Sequence, residues 1–141
     1  MPSRKWSMIF IMRQGSVGNA AATCYCGEMT ATIDPITRKS VEAFLARIAG
    51  DYPIVEAWLY GSRARGDARP DSDADVAVIL SGPKGRAMTV ATEMSAVEFD
   101  VLLETGVLVS AMPIWLEDWR NPMGYSNPYL IETIKREGVV L

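Results

Sequence analysis

Two spacings of apolar residues organise the chain. Behind Asp34-Pro35, an N-cap followed by proline at the first helical position, Ile36, Val41, Phe44, Leu45 and Ile48 recur at helical spacing up to Gly50. Ile54 to Tyr60 is β-branched and aromatic, which predicts a strand, and Gly61-Ser62 ends it. A short helical turn from Ser62 to about Gly66 and a polar loop through Pro70 and Ser72 follow. Ala74 to Leu80 is nearly all apolar, which predicts a second strand buried on both faces. Beyond a loop at 81–86, a helix from about Met88 to Glu104 turns Met94, Val97, Val101 and Leu102 inward and stops at Gly106. Val107 to Ile114 reads as a third strand, and Glu117 to Arg120 as one turn. Asn127-Pro128 repeats the cap-and-proline signal ahead of a last helix, which places Leu130, Ile131 and Ile134 on one face and closes at Gly138. The order helix, strand, strand, helix, strand, helix predicts an α/β (α+β) domain with a small mixed β-sheet flanked by helices.

At 141 residues the chain has room for one such domain. The patterned part begins at residue 34, so 34–141 is read as the domain and 1–33 as a disordered tail or an over-extended start. Met12 and Met29 are alternative starts. Arg4-Lys5 precedes an apolar run from Trp6 to Met12, but seven residues lie at the bottom of a signal peptide's range and cannot cross a bilayer. No membrane association is expected, and a reducing cytoplasm is the default location.

Charge and missing residue types narrow the chemistry. Fourteen Lys and Arg against 17 Asp and Glu give a net charge of -3, which excludes a broad basic nucleic-acid footprint. Cys24 and Cys26 are the only cysteines and there is no histidine, so neither a disulfide framework nor a zinc site is expected. Without imidazole, Ser-His and Cys-His catalysis are also excluded, and acid-base or metal chemistry must rest on carboxylates.

One stretch departs from a generic soluble domain. Gly61 lacks a Cβ where strand gives way to turn, so a phosphate can come close to the backbone. Ser62 adds a hydroxyl and an expected helix N-terminus whose free N–H groups favour an anion. Arg63 or Arg65 could reach the same phosphates with a fixed fork of donors. After ten intervening residues beyond Ser62 come Asp73 and Asp75. In a strand, residues two apart face one side, so both carboxylates are expected to point together and to hold Mg²⁺ or Mn²⁺.

Gly61-Ser62, ten intervening residues and Asp73-Ala74-Asp75 resemble the motif of the minimal nucleotidyltransferases of the DNA polymerase beta superfamily. The resemblance extends over about Asp34 to Leu141. It implies a nucleotidyltransferase fold, with Gly61 and Ser62 anchoring a nucleoside triphosphate such as ATP and Asp73 and Asp75 holding the divalent ions. The reaction it implies moves a nucleoside monophosphate to a hydroxyl of a protein or RNA acceptor and releases pyrophosphate. Small members are similar to the antitoxin half of two-gene toxin–antitoxin modules, whose partner is an all-helical HEPN toxin.

The motif is incomplete in one respect. Full members of the family carry a third acidic residue on the next core strand, and Val107 to Ile114 has no Asp or Glu. Ser110 is the nearest polar residue there, and Glu104 is the nearest acidic one on the preceding helix. A non-catalytic nucleotide-binding or inhibitory subunit is therefore the alternative reading. Acceptor, base preference and self-association stay open at this level. Lys84 and Arg86 could reach a triphosphate, and Trp119 could anchor an interface.

Overall fold

Asp34 starts the first helix as its sequence requires. Its carboxylate accepts from the Thr37 N–H at 3.0 Å and from the Thr37 hydroxyl at 2.5 Å, and Pro35 opens helix α1, Pro35–Ile48. The structure is a computed structural model that describes residues 32–141. The tail reading, the alternative starts, Trp6, Cys24 and Cys26 lie outside the described residues, apart from Thr32 and Ile33. Ile33 is buried, so the packed unit begins ahead of Asp34. Val41, Phe44, Leu45 and Ile48 of α1 are buried as expected. Ile36 instead is 42% exposed, because Thr37 and Ser40 take the inward positions of the first turns.

Strands β1, Ile54–Tyr60, and β2, Ala74–Leu80, have the expected bounds and pair antiparallel. Between them lies the single-turn helix α2, Ser62–Arg65, closed by Gly66 in the left-handed region. Helix α3, Ala87–Thr105, buries Met94 and Val101 and stops at Gly106, also left-handed. Val97 and Leu102 are half-buried.

Strand β3 runs Val109–Trp115 rather than 107–114, and pairs parallel to β2. Thr105 explains the later start: its hydroxyl donates to Val101 O at 2.8 Å and accepts from the Val107 N–H at 3.3 Å, holding that residue in the turn. Pro113 lies within the strand. Leu108 accepts from the Ala74 N–H, so residues of the opposite parity, Pro113 among them, turn their backbone groups to the sheet's outer edge. A missing N–H costs no ladder bond there.

Helix α4, Leu116–Arg120, a 3₁₀ turn at Pro122–Gly124 and helix α5, Pro128–Glu137, complete the helical cover. A two-residue strand β4, Val139–Val140, then pairs antiparallel with β1 at Leu59 and Trp58. The sequence reading stopped at Gly138 and missed it, since two residues carry no readable alternation. The mixed sheet has the order β3-β2-β1-β4.

One sheet face carries Ala77, Ile79 and Ile114, packed on Trp119, Ile131 and Ile134 of α4 and α5. Trp119 is therefore core, its ring 5.4 Å from that of Trp58, and not an exposed anchor. The other face, with Leu59, Val76, Val78 and Val109, lies under α1 and α3. No helix among the described residues is long and apolar enough to cross a membrane.

Candidate active site

The register puts chemistry at one end of the sheet. Tyr60 closes β1, Asp75 lies opposite it near the head of β2, and Ser110 lies opposite Asp75 near the head of β3. Residues directly opposite in neighbouring strands share a face, so the three stand in a row.

Gly61 follows Tyr60 with φ 74° and ψ -156°, a backbone region that only glycine enters without strain. A Cβ built on Gly61 would stand 2.5 Å from Asp75 Oδ2, closer than two non-bonded atoms can approach. The turn is thus laid directly against the Asp75 carboxylate. Both the conformation and the contact demand glycine at this position. The first N–H groups of a helix have no intrahelical acceptor, and in α2 the internal bonds begin at the Ala64 N–H. Among the described residues the Ser62 and Arg63 N–H groups at the turn therefore have no intrahelical acceptor. With a single turn, α2 contributes little macrodipole, so individual N–H groups rather than a helix field would meet an anion.

Asp73 projects from the loop two residues ahead of Asp75, exposed, while Asp75 is half-buried. Neither carboxylate accepts a hydrogen bond from another described residue. Burial pushes the Asp75 carboxyl above its ordinary value, the negative charge of Asp73 pushes it further, and Arg65 pulls it back. Two adjacent carboxylates without donors suit a divalent cation that completes its shell with water and phosphate. No group of three or more acidic, histidine or cysteine side chains that could hold a metal occurs among the described residues. The tyrosine beside them is affected too. Burial raises the Tyr60 hydroxyl far above its ordinary value, helped by the charges of Asp75 and Tyr125, so it stays protonated and can donate.

The two arginines of the motif separate. Arg65 is half-exposed at the turn, with Nε 3.4 Å from Asp67 Oδ2 and a terminal nitrogen 4.0 Å from Glu137 Oε2. Arg63, expected beside phosphate, points into the protein and is 7% exposed. Its guanidinium donates to Ser72 O at 2.7 Å, Thr37 Oγ1 at 2.8 Å and Pro70 O at 3.2 Å, and lies 3.7 Å from Asp34 Oδ2. It ties the loop that delivers Asp73 to the start of α1. Spacing alone could not separate the two, since only their side-chain directions on one helical turn differ.

Other candidates lie elsewhere. Glu104 pairs with Arg47 at 2.6 Å on the helical layer. Glu98, half-buried on α3, accepts from the Ala111 N–H at 2.8 Å at the outer edge of β3, and its burial raises its carboxyl. Lys84 pairs with Asp118 beyond the far end of β2, and Arg86 is the exposed residue preceding α3. Tyr60 and Glu137 were missed in the sequence. Tyr60 could have been found from its place next to Gly61, whereas Glu137 is brought near only by the β4 pairing.

A glycine turn laid on a strand-head carboxylate, in a small mixed sheet covered by helices, defines the class of protein. The chain belongs to the nucleotidyltransferase domain family, whose model matches residues 39–141. Among solved structures it is similar to a protein from Sulfolobus solfataricus assigned as a nucleotidyltransferase, with 20% identity, 82% of this chain and 89% of that chain covered, and a TM-score of 0.49. No curated protein matches the chain.

Proposed function

We propose that the protein is a Mg²⁺- or Mn²⁺-dependent nucleotidyltransferase that moves AMP from ATP to a hydroxyl of a protein or RNA acceptor. The observation that carries this reading is the Gly61 turn packed against Asp75, with Asp73 beside it and no donor to either carboxylate among the described residues. The acceptor oxygen forms a bond to the α-phosphorus as the bond to the pyrophosphate oxygen breaks; the hydroxyl proton leaves to solvent and pyrophosphate departs. Asp73 and Asp75 would hold the cation, which when bound offsets the charge of the triphosphate and of the breaking bond. The bare Gly61 backbone lets the phosphates come close, while Ser62 and Arg65 donate to them. Holding donor and acceptor in line supplies much of the remaining rate.

Acceptor binding is assigned to a partner. Among the described residues the helices α1, α3, α4 and α5 all cover the sheet, and none forms a separate lobe over the site. The resemblance to small antitoxin members makes a HEPN-type toxin the partner to test, in the cytoplasm.

A second reading has its own observation. Ser110 occupies the β3 position opposite Asp75, where a third carboxylate would complete the acidic set, and a serine cannot supply that charge. On this reading the protein is a nucleotide-binding or inhibitory subunit without turnover.

One experiment separates the two. The protein is incubated with ATP radiolabelled at the α-phosphate, Mg²⁺ and the product of the adjacent gene, beside Asp73→Asn. Metal-dependent labelling that is lost in Asp73→Asn is the expected result. Saturable ATP binding without label on any protein or RNA sinks transfer in favour of the second reading, and absence of binding sinks both.

A further inference from the structure

We infer that Glu137, at the C-terminal end of α5, is a specificity-determining residue that holds Arg65 away from phosphate and sets how much negative charge a ligand needs to engage it. The inference rests on the reading of Arg65 as a phosphate ligand.

Three observations place Glu137 at the site. Glu137 Oε2 lies 4.0 Å from a terminal nitrogen of Arg65, and Asp67 Oδ2 lies 3.4 Å from its Nε. The second oxygen of the carboxylate lies 3.1 Å from the exposed guanidinium of Arg136. The chain geometry leaves it little freedom. Gly138 follows at once, and a Cβ there would meet Ile134 O at 2.4 Å, Leu59 O at 3.1 Å and the Trp58 ring at 3.2 Å. Val139 then pairs with Leu59, two residues before Gly61. The end of α5 is thus clamped beside the phosphate turn.

Electrostatics give the arrangement a consequence. Arg65 faces Asp67 and Glu137 and also interacts with Asp75. A ligand's phosphate oxygens must compete with Glu137 and Asp67 for the guanidinium. A triphosphate presents more anionic oxygens than a monophosphate, with its cation bound or not, so Glu137 favours ATP over AMP. The helix end adds to this, because the last carbonyls of α5 carry partial negative charge toward the same side.

The test is a double-mutant cycle read by calorimetric binding of ATP with Mg²⁺, inorganic triphosphate and AMP. Wild type, Glu137→Gln, Arg65→Ala and the double variant are compared, with melting temperatures to confirm folding. Glu137→Gln is expected to tighten AMP and triphosphate binding by roughly 2- to 5-fold, the range for half-exposed pairs, with AMP gaining more than ATP. In the Arg65→Ala background the same change is expected to do nothing, and Glu137→Asp is expected to behave like wild type. A gain that persists without Arg65 overturns the proposal, because it would come from overall charge or from freed Arg136. Unchanged affinity in Glu137→Gln while the wild type binds ATP also overturns it and leaves the nucleotide reading standing. If the wild type binds neither ATP nor triphosphate, the reading of the site falls first and the proposal with it.

Discussion

At the scale of single residues the site stores its tension in Asp75. Burial first and the charge of Asp73 second raise its carboxyl above the ordinary 3.8, with Arg65 offsetting part of this. The folded protein therefore holds that proton more tightly than the unfolded chain does. Stability from this group is fully present below 3.8 and is lost as pH rises through the raised folded value. At pH 7 an ionised Asp75 without a cation destabilises the fold. Asp75→Asn is expected to raise the melting temperature of the metal-free protein at pH 7 by about 2–4 °C, a fraction of 1 kcal/mol after solvent screening. The difference should shrink toward pH 4. Added Mg²⁺ should stabilise the wild type and not the variant, since only a group bound in the folded state shifts that equilibrium. Thermal melts in a chelator and in Mg²⁺ at both pH values check this. A variant that melts lower than wild type in the chelator would show Asp75 to be structural.

At the scale of elements the decisive side chain is Arg63, which joins α1, α2 and the loop ahead of β2. Its three hydrogen bonds run to Thr37, Pro70 and Ser72, and its charge helps Asp34. Burial alone would raise the Asp34 carboxyl, but the Thr37 bonds and Arg63 outweigh it and hold it below its ordinary value. That contribution is present above the ordinary value and is lost as pH falls through the folded one. Arg63→Ala is expected to cost about 2–4 kcal/mol in urea denaturation, because the carbonyls it served are left half-buried and unpaired. Lysine, a point charge without the fork, should recover less than half. The helix caps at Asp34 and Asn127, the bounds of β1 and β2 and the Gly-Ser and Asp-x-Asp pairs were all legible in sequence, since each rests on local chemistry. What escaped was tertiary. The inward turn of Arg63, the outer-edge position of Pro113 and the arrival of β4 beside Leu59 depend on partners distant in the chain.

Across the whole molecule, binding chemistry and mechanical closure sit at opposite ends of the sheet. Tyr60, Gly61, Asp75 and Ser110 gather where β2 and β3 begin. Where those strands end, Lys84 Nζ lies 2.9 Å from each oxygen of the buried Asp118. Only Oδ1 receives a well-aligned hydrogen bond, and Oδ2 is paired by charge alone. From Asp75 to Leu80 the strand rises about 16 Å, beyond a Debye length at physiological salt. The two ends should therefore respond separately to mutation. Lys84→Ala takes the half-exposed cation from the buried Asp118 carboxylate and is expected to lower stability. Its effect on ATP affinity should stay within a factor of two, because sites this far apart and without shared partners add independently. Denaturant melts and calorimetric titration on one preparation measure both quantities. A large loss of ATP affinity in Lys84→Ala, with the fold intact, would mean that the triphosphate lies along the sheet face toward Lys84 rather than over the Gly61 turn.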